Sequence, residues 1–302
     1  MSSVPSLRIA VLGGGAIGSA FAFQLARTGH HDLTLIARPG SARLEQLRRD
    51  QGIVDSHGTR AAMGVADALD ERIDYDLVIV TVLAHQVDAV LPALRNSAAK
   101  SILFMFNNFN PERLRDALGA ARCDFGMPFI QARLDQNGRL DSVIDAPGQK
   151  TKLGQRRWVD LFRAAGLPAA YEVDMALWLR CHAPLCVAFE SVAVAGMRRG
   201  GGASWRQAMT LARGVQESFA LIQALGYRIY PSSKSRLHRA PAWVLAFMLW
   251  GISRHTGFRT LLAGGLAECL ALVDVMLAAA PRAHAGLTLT RIAAMKPSPQ
   301  PG

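Results

Sequence analysis

At 302 residues, half of them apolar, the chain can bury a large core, and its length corresponds to about two domains. Its formal charge of +11 is carried by 29 arginines and five lysines and suits an anionic small molecule or a nucleic acid. The basic runs, QRRW at 155–158 and MRRGGGASWR at 197–206, are short and lack the interleaved aromatics of a single-strand binding platform, so no nucleic-acid partner is expected.

The first segment, MSSVPSLRIAVLGGG, is no secretory signal, because an arginine and then a glycine run interrupt its apolar part. Residues 7–12 read as a buried strand, 16–27 as a helix and 32–36 (DLTLI) as a second strand. Between the first strand and the helix lies Gly13-x-Gly15-x-x-Gly18, in the strand–turn–helix context that a dinucleotide site requires. Gly13 permits the tight turn, Gly15 removes a side chain that would keep a pyrophosphate from the backbone, and Gly18 lets the helix pack closely on the strand. Ala16 and Ile17 open the helix, whose first turn offers unpaired N–H groups and partial positive charge to phosphates. An NAD site usually has an acidic residue after the second strand. This chain has Ala37-Arg38, and a guanidinium suits a 2′-phosphate, so NADP (NADPH) is the expected cofactor. Arg43 reads either as a second contact or as a solvated side chain.

YDLVIVTV at 75–82 reads as a further strand, followed by helical spacing in LAHQVDAVLPAL. SILFMF at 101–106 is another strand and ends at Asn107-Asn108. Parallel sheets carry binding residues at the carboxyl ends of their strands, which places Thr81, His85, Gln86 and Asn107 where a nicotinamide and substrate would lie. Residues 123–154 contain short apolar pieces and an Asn-Gly turn, predicting hairpin strands that finish the sheet.

From about residue 173 the period changes to 3.6. Ser204 and Gln207 form a capping box for a helix that closes at Gly226 and places Ala208, Leu211, Val215, Phe219, Ile222 and Leu225 on one face. The run PAWVLAFMLWGI at 241–252 is shorter than the roughly 20 residues of a membrane span, and no membrane partner is expected. It reads as a buried or groove-lining helix, with Trp243, Phe247 and Trp250 in the core or against a second subunit. A long helix at about 257–280 carries Glu268 and Asp274, and the tail KPSPQPG reads as disordered. The four cysteines, at 123, 181, 186 and 269, show neither CxxC nor metal-ligand spacing, so the expectation is a cytoplasmic protein with reduced thiols and no metal. The expected fold is thus an α/β Rossmann domain, doubly wound and mainly parallel, at 1–172. An all-α domain for substrate binding and dimerisation follows at 173–302, with the active cleft between the two.

In order along the chain, GGGAIG, Arg38, VTVLAHQVDAVLPAL, FNN at 106–108, QARLDQNGRL and LWLRCHAP resemble the ketopantoate reductase (2-dehydropantoate 2-reductase) family. The likeness weakens after about residue 195. It implies a reductase that delivers hydride from NADPH to the keto group of a 2-oxo acid. By position it assigns cofactor contacts to Gly13, Gly15, Ala16, Ile17, Gly18 and Arg38, and places Gln86 and Asn107 near nicotinamide and substrate. Glu268 matches the family's substrate-facing acid.

The departures are chemical. The first family lysine falls on Leu83, the second, its expected proton donor, on Arg180, and a family asparagine one turn later on Pro184. Reduction of a ketone creates an alkoxide that needs a proton and a nearby positive charge. Arginine stays charged and is a poor donor, although it can hold a carboxylate or an oxyanion. Arg180 therefore reads as an anion clamp and His182, which titrates near neutrality, as the candidate acid. Two positions apart on a helix diverge by about 200°, so both reach the cleft only if Pro184 breaks the helix. Cys181 as a nucleophile has only Arg180 nearby to lower its pKa. The expected activity is NADPH-dependent reduction of a 2-oxo acid other than ketopantoate, by a homodimer. An opine-dehydrogenase-like condensation and a non-catalytic NADP-binding regulator stay open as alternatives.

Overall fold

Continuous apolar runs in the first half become short buried strands, and the computed structural model describes residues 6–144, 148–280 and 287–297. The strands are β1 (Arg8–Leu12), β2 (Asp32–Ile36), β3 (Gly52–Val54), β4 (Arg60–Ala62), β5 (Gly64–Ala66) and β6 (Leu77–Val80). They continue with β7 (Ile102–Met105), β8 (Cys123–Met127), β9 (Gln131–Leu134), β10 (Leu140–Val143), β11 (Thr151–Leu153) and β12 (Ala169–Tyr171). Eight of them form one sheet in the order β12-β11-β8-β7-β6-β1-β2-β5. All its pairings are parallel except β8 with β11. The order reverses at β1, and the ends of the strands there are where such folds bind ligands.

The predicted 123–154 hairpin is present as β9–β10, but it forms a two-stranded sheet of its own, while β8 and β11 extend the main sheet. Burial explains the division. β8 is buried at four of five positions, whereas β9 and β10 are mostly half-exposed and have no second apolar face to bury in a central position.

The helices are α1 (Ala16–Arg27), α2 (Ala42–Asp50), α3 (Val87–Asn96), α4 (Pro111–Leu118) and α5 (Arg156–Ala164) in the first half. The second half has α6 (Met175–Arg198), α7 (Trp205–Ala224), α8 (Ser232–Arg239), α9 (Ala242–Ile252), α10 (Thr256–Leu262), α11 (Leu266–Ala279) and α12 (Thr290–Ala293). The chain forms two compact units, one of Met1–Phe106 with Glu112–Met175, the other of Asn107–Pro111 with Ala176–Gly302. In the first, Phe21 of α1 meets Phe162 of α5 edge-on at 5.1 Å within the sheet's apolar cover.

The second unit is helical, and α7 is capped by Ser204 and Gln207 as its sequence requires, with Ala208, Leu211, Val215, Phe219 and Ile222 buried. Three expectations are corrected there. α6 runs unbroken through Pro184. The proline removes only the bond to the Arg180 carbonyl, and burial of most of this apolar helix offsets the loss. The helix expected at 257–280 is two helices, α10 and α11, joined by a 3-10 turn at Ala263–Gly265. In α9, Leu245, Ala246 and Leu249 are buried, but Trp243 and Phe247 are 58% and 62% exposed rather than core. A helix apolar all round can bury only one stripe against a single neighbour, so the remaining side chains face outward.

By length and composition alone, both α6 and the stretch Thr256–Ala279 could cross a membrane; the first is mostly buried and the second mostly exposed. The tail at 298–302 lies outside the described residues.

Candidate active site

Gly13 follows β1 with φ +124°, a conformation that side chains rarely adopt, and its N–H donates to the Ile36 carbonyl. A Cβ on Gly13 would stand 2.6 Å from Thr81 Oγ1. One on Gly18 would overlap the Gly13 carbonyl oxygen. The Thr81 hydroxyl donates within this knot, towards the Leu12 and Gly13 carbonyls. Gly15 differs: a Cβ there meets nothing within 4 Å. It is the N-cap of α1 and provides no side-chain cap, so the first N–H groups of α1, from Ala16 and Ile17 onward, open on unfilled space. A dinucleotide pyrophosphate fits this cradle.

Arg38 is exposed beyond the end of β2. Arg43 is neither solvated nor available as a ligand clamp. Its guanidinium donates to the Gly14 carbonyl, Gln46 Oε1, the Gly138 carbonyl and the Ser19 hydroxyl, and burial lowers its pKa. It braces the glycine loop. Past β6, Gln86 is exposed and its Oε1 accepts from the Leu83 N–H at 3.2 Å, so this side chain closes its own turn; Leu83 and His85 are also exposed.

The second unit gathers a different set. Asn107 is only 5% exposed and donates from Nδ2 to Glu268 Oε1 at 3.0 Å, while its Oδ1 is buried without a hydrogen-bond partner. Cys269 donates to Glu190 Oε2 at 3.0 Å. A Cβ on Gly265 would lie 2.5 Å from the Glu190 carboxyl, so glycine at 265 makes room for it. Burial first, then the negative charge of Glu268, raises the Glu190 pKa to about 8. The carboxyl is therefore largely protonated at neutral pH.

Burial, together with Glu190 and Glu268, pushes the Cys186 thiol well up, opposed by Lys234 and by a hydrogen bond with Asn107. Cys269 is raised as well, again mainly by burial. All four cysteines are buried, and none is in a disulfide. Cys186 and Cys269 are therefore poor nucleophiles, since only the thiolate attacks.

On α6, Trp178, His182, Cys186 and Glu190 recur every four residues and so share one slowly winding face. His182 packs on the Trp178 ring at 4.3 Å. Arg180 projects about 200° from His182 on this unbroken helix. It is 3% exposed, with its guanidinium over Tyr227 at 4.0 Å and Phe109 at 5.5 Å. Lys234 is 7% exposed, donates to the Trp178 carbonyl at 3.0 Å, and lies 4.0 Å from the centre of the Trp178 ring.

The structure thus brings Asn107 and Glu268 together and adds Glu190, Cys186 and Cys269, which no motif marks, while Lys234 is buried against Trp178. Glu190 leaves a trace in the sequence as the lone acid in an apolar helix. Lys234 leaves none, because α8 meets Trp178 of α6 only through folding.

A Rossmann unit with a dinucleotide cradle, joined to an all-helical unit with a buried polar cluster, defines a class of two-unit nucleotide-dependent proteins. Residues 9–158 match the family model for ketopantoate reductase PanE/ApbA, and this half of the chain belongs to the ketopantoate reductase family. The 2-dehydropantoate 2-reductase of Bacillus subtilis (strain 168) is 32% identical over 108 residues, and the match spans a third of either chain, 33%.

Solved structures extend the fold likeness to the helical unit. A PanE/ApbA family ketopantoate reductase from Ralstonia eutropha JMP134 superposes with a TM-score of 0.71 at 17% identity, covering 96% of each chain. The 2-dehydropantoate 2-reductase of Geobacter metallireducens GS-15 gives 0.70 at 18%, covering 96% of this chain and 98% of that one. A D-mandelate dehydrogenase solved with NADH gives 0.70 at 15%, covering 96% of each.

Proposed function

We propose that this protein is an NADPH-dependent reductase of a 2-oxo acid other than ketopantoate. The observation that carries the reading is the pairing of an open glycine cradle, followed by Arg38, with a buried Asn107–Glu268 cluster in the helical unit. NADPH, when bound, supplies hydride to the keto carbon. Gly13, Gly15, Ala16, Ile17 and Gly18 hold the pyrophosphate, and Arg38 takes the 2′-phosphate. Arg180, fixed between two rings, offers a permanent positive charge to the substrate carboxylate. The buried Asn107 Oδ1 suits a hydroxyl donor, which the reduced product has and the ketone lacks.

The test is NADPH consumption by the pure protein with ketopantoate and other branched 2-oxo acids, with and without amino acids. Turnover of a 2-oxo acid alone supports the reading, and turnover only with an amine present replaces it with an opine-type condensation. NADPH binding with no turnover across the panel leaves a non-catalytic NADP binder, the reading favoured by the absence of lysine at 83 and 180.

Arg38→Ala is expected to weaken NADPH binding by about 10- to 100-fold and leave NADH unchanged, as loss of one charge-assisted phosphate contact requires. Equal losses for both cofactors, measured by fluorescence titration, would remove Arg38 from the 2′-phosphate. Arg180→Ala is expected to raise the KM for the 2-oxo acid by about tenfold or more, with NADPH affinity intact. An unchanged KM removes it from the site.

A further inference from the structure

Soluble monomers rarely expose a contiguous run of large apolar side chains, and α9 of the helical unit does. Leu245, Ala246 and Leu249 bury one stripe of this helix, which packs along α7, while Trp243, Val244, Phe247 and Met248 are exposed. Trp243 stands one turn before Phe247 on the outward face. The Phe247 ring stacks on Trp250 at 6.1 Å, and Trp250 meets the exposed Trp205, at the start of α7, edge-on at 6.4 Å. Cations rim this aromatic ridge. Arg254 lies 3.4 Å from the centre of the Trp250 ring, and the exposed Arg206 follows Trp205. A Cβ on Gly202 would stand 3.0 Å from Arg254 Cγ, so the α6–α7 loop, with Arg199 exposed on it, abuts the same end. At the other end, Arg236 and Arg239 are exposed on α8, which leads into α9.

Charge selects the occupant. Residues 191–267 hold ten lysines and arginines and one acid, Glu217, which pairs with Arg291, so this segment carries +9 of the chain's +11. Two copies meeting on this face would set like charge against like charge. An anionic bilayer is complementary in both respects, because its phosphates attract arginine and its interface takes up tryptophan and phenylalanine. The 11 residues of α9 make about 16 Å of helix, against a hydrocarbon core of about 30 Å. The expectation of no membrane partner followed from this shortness, which excludes a span and not a helix lying in the interface. We propose that the α9 face docks the helical unit on the surface of anionic phospholipid membranes. Trp205, Trp243, Phe247 and Met248 enter the headgroup boundary, Arg199, Arg206 and Arg254 pair with lipid phosphates, and the stripe buried on α7 keeps the helix in the fold.

The test is co-sedimentation of the full chain with vesicles of equimolar phosphatidylcholine and phosphatidylglycerol, and with vesicles of phosphatidylcholine alone. Binding to the anionic vesicles is expected, falling by about tenfold or more on phosphatidylcholine and weakening as salt is added. The double variant Trp243→Ala, Phe247→Ala is expected to bind anionic vesicles about 30-fold less tightly or worse. Arg199→Gln with Arg206→Gln is expected to lose about tenfold. Arg49→Gln with Arg60→Gln makes the same charge change at exposed positions of the other unit and is expected to stay within about twofold of wild type. All six side chains are exposed, so the melting temperature is expected to hold in each variant.

Absence of wild-type binding to the anionic vesicles overturns the proposal, as does equal binding to phosphatidylcholine. Undiminished binding by the Trp243→Ala, Phe247→Ala variant would reveal adhesion by net charge only and overturns it too. An equal loss in Arg49→Gln with Arg60→Gln has the same consequence, since the charge would then act without a localised surface. If wild type ignores both vesicles but sediments as a dimer that Trp243→Ala with Phe247→Ala splits, the face is a contact between two copies instead. None of these measurements needs a substrate, so the reductase reading stands or falls separately.

Discussion

Replacing Gly18 with alanine is expected to lower NADPH affinity by about 100-fold and to lower the melting temperature, because the new Cβ would overlap the Gly13 carbonyl oxygen. Backbone cannot yield there as a flexible side chain would. α1 must move off β1, and relief of such overpacking costs about 1–3 kcal/mol. Gly15→Ala provides the contrast. Its Cβ meets nothing within 4 Å in the protein, so the melting temperature is expected to hold. NADPH affinity is nevertheless expected to fall, since the open space is where the pyrophosphate must approach. Calorimetry with fluorescence titration of both variants separates packing from ligand contact. Wild-type NADPH affinity in Gly15→Ala would move the phosphates away from this loop.

Glu190→Gln is expected to stabilise the protein near neutrality, by up to about 3 kcal/mol at pH 7. The Glu190 pKa rises from an ordinary 4.5 to about 8 on folding, through burial and then through Glu268. Between those values the folded chain keeps a proton that the unfolded chain has released, so stability falls as pH rises across this window. Glutamine, which never ionises, escapes that penalty and can still accept from Cys269. The gain should vanish near pH 4, where the carboxyl is protonated in both states. Thermal melts of wild type and variant from pH 4 to 8.5 measure it. A constant difference across that range would show that Glu190 does not titrate in the window.

The helical face of Trp178, His182, Cys186 and Glu190 shows how the two levels of information divide. The four-residue spacing stands in the sequence, but an apolar helix with scattered polar residues reads there as core. Pro184 pointed the other way, since proline argues against a regular helix, and burial of α6 overrode it. Arg43 is a further case. An arginine near a phosphate loop reads as a ligand contact or a solvated group, yet its bonds to Gly14, Ser19, Gln46 and Gly138 make it a brace. Three of those four partners are far from it along the chain, so only folding brings them within reach.

The sequence by itself determined the local chemistry. The β1–loop–α1–β2 unit falls at 8–12, 16–27 and 32–36, almost as its periodicity predicts, because a buried strand, a glycine turn and a helix start are specified by neighbouring residues. The same holds for the Ser204–Gln207 cap and for Arg38 at the end of β2. What only the tertiary structure decided is contact between distant segments: Asn107 with Glu268 across 161 positions, Glu190 with Cys269 across 79, and Lys234 with Trp178 across 56. A sequence records which groups a chain owns. Which of them share a low-dielectric pocket, and so which carboxyl keeps its proton, depends on packing that no local pattern encodes.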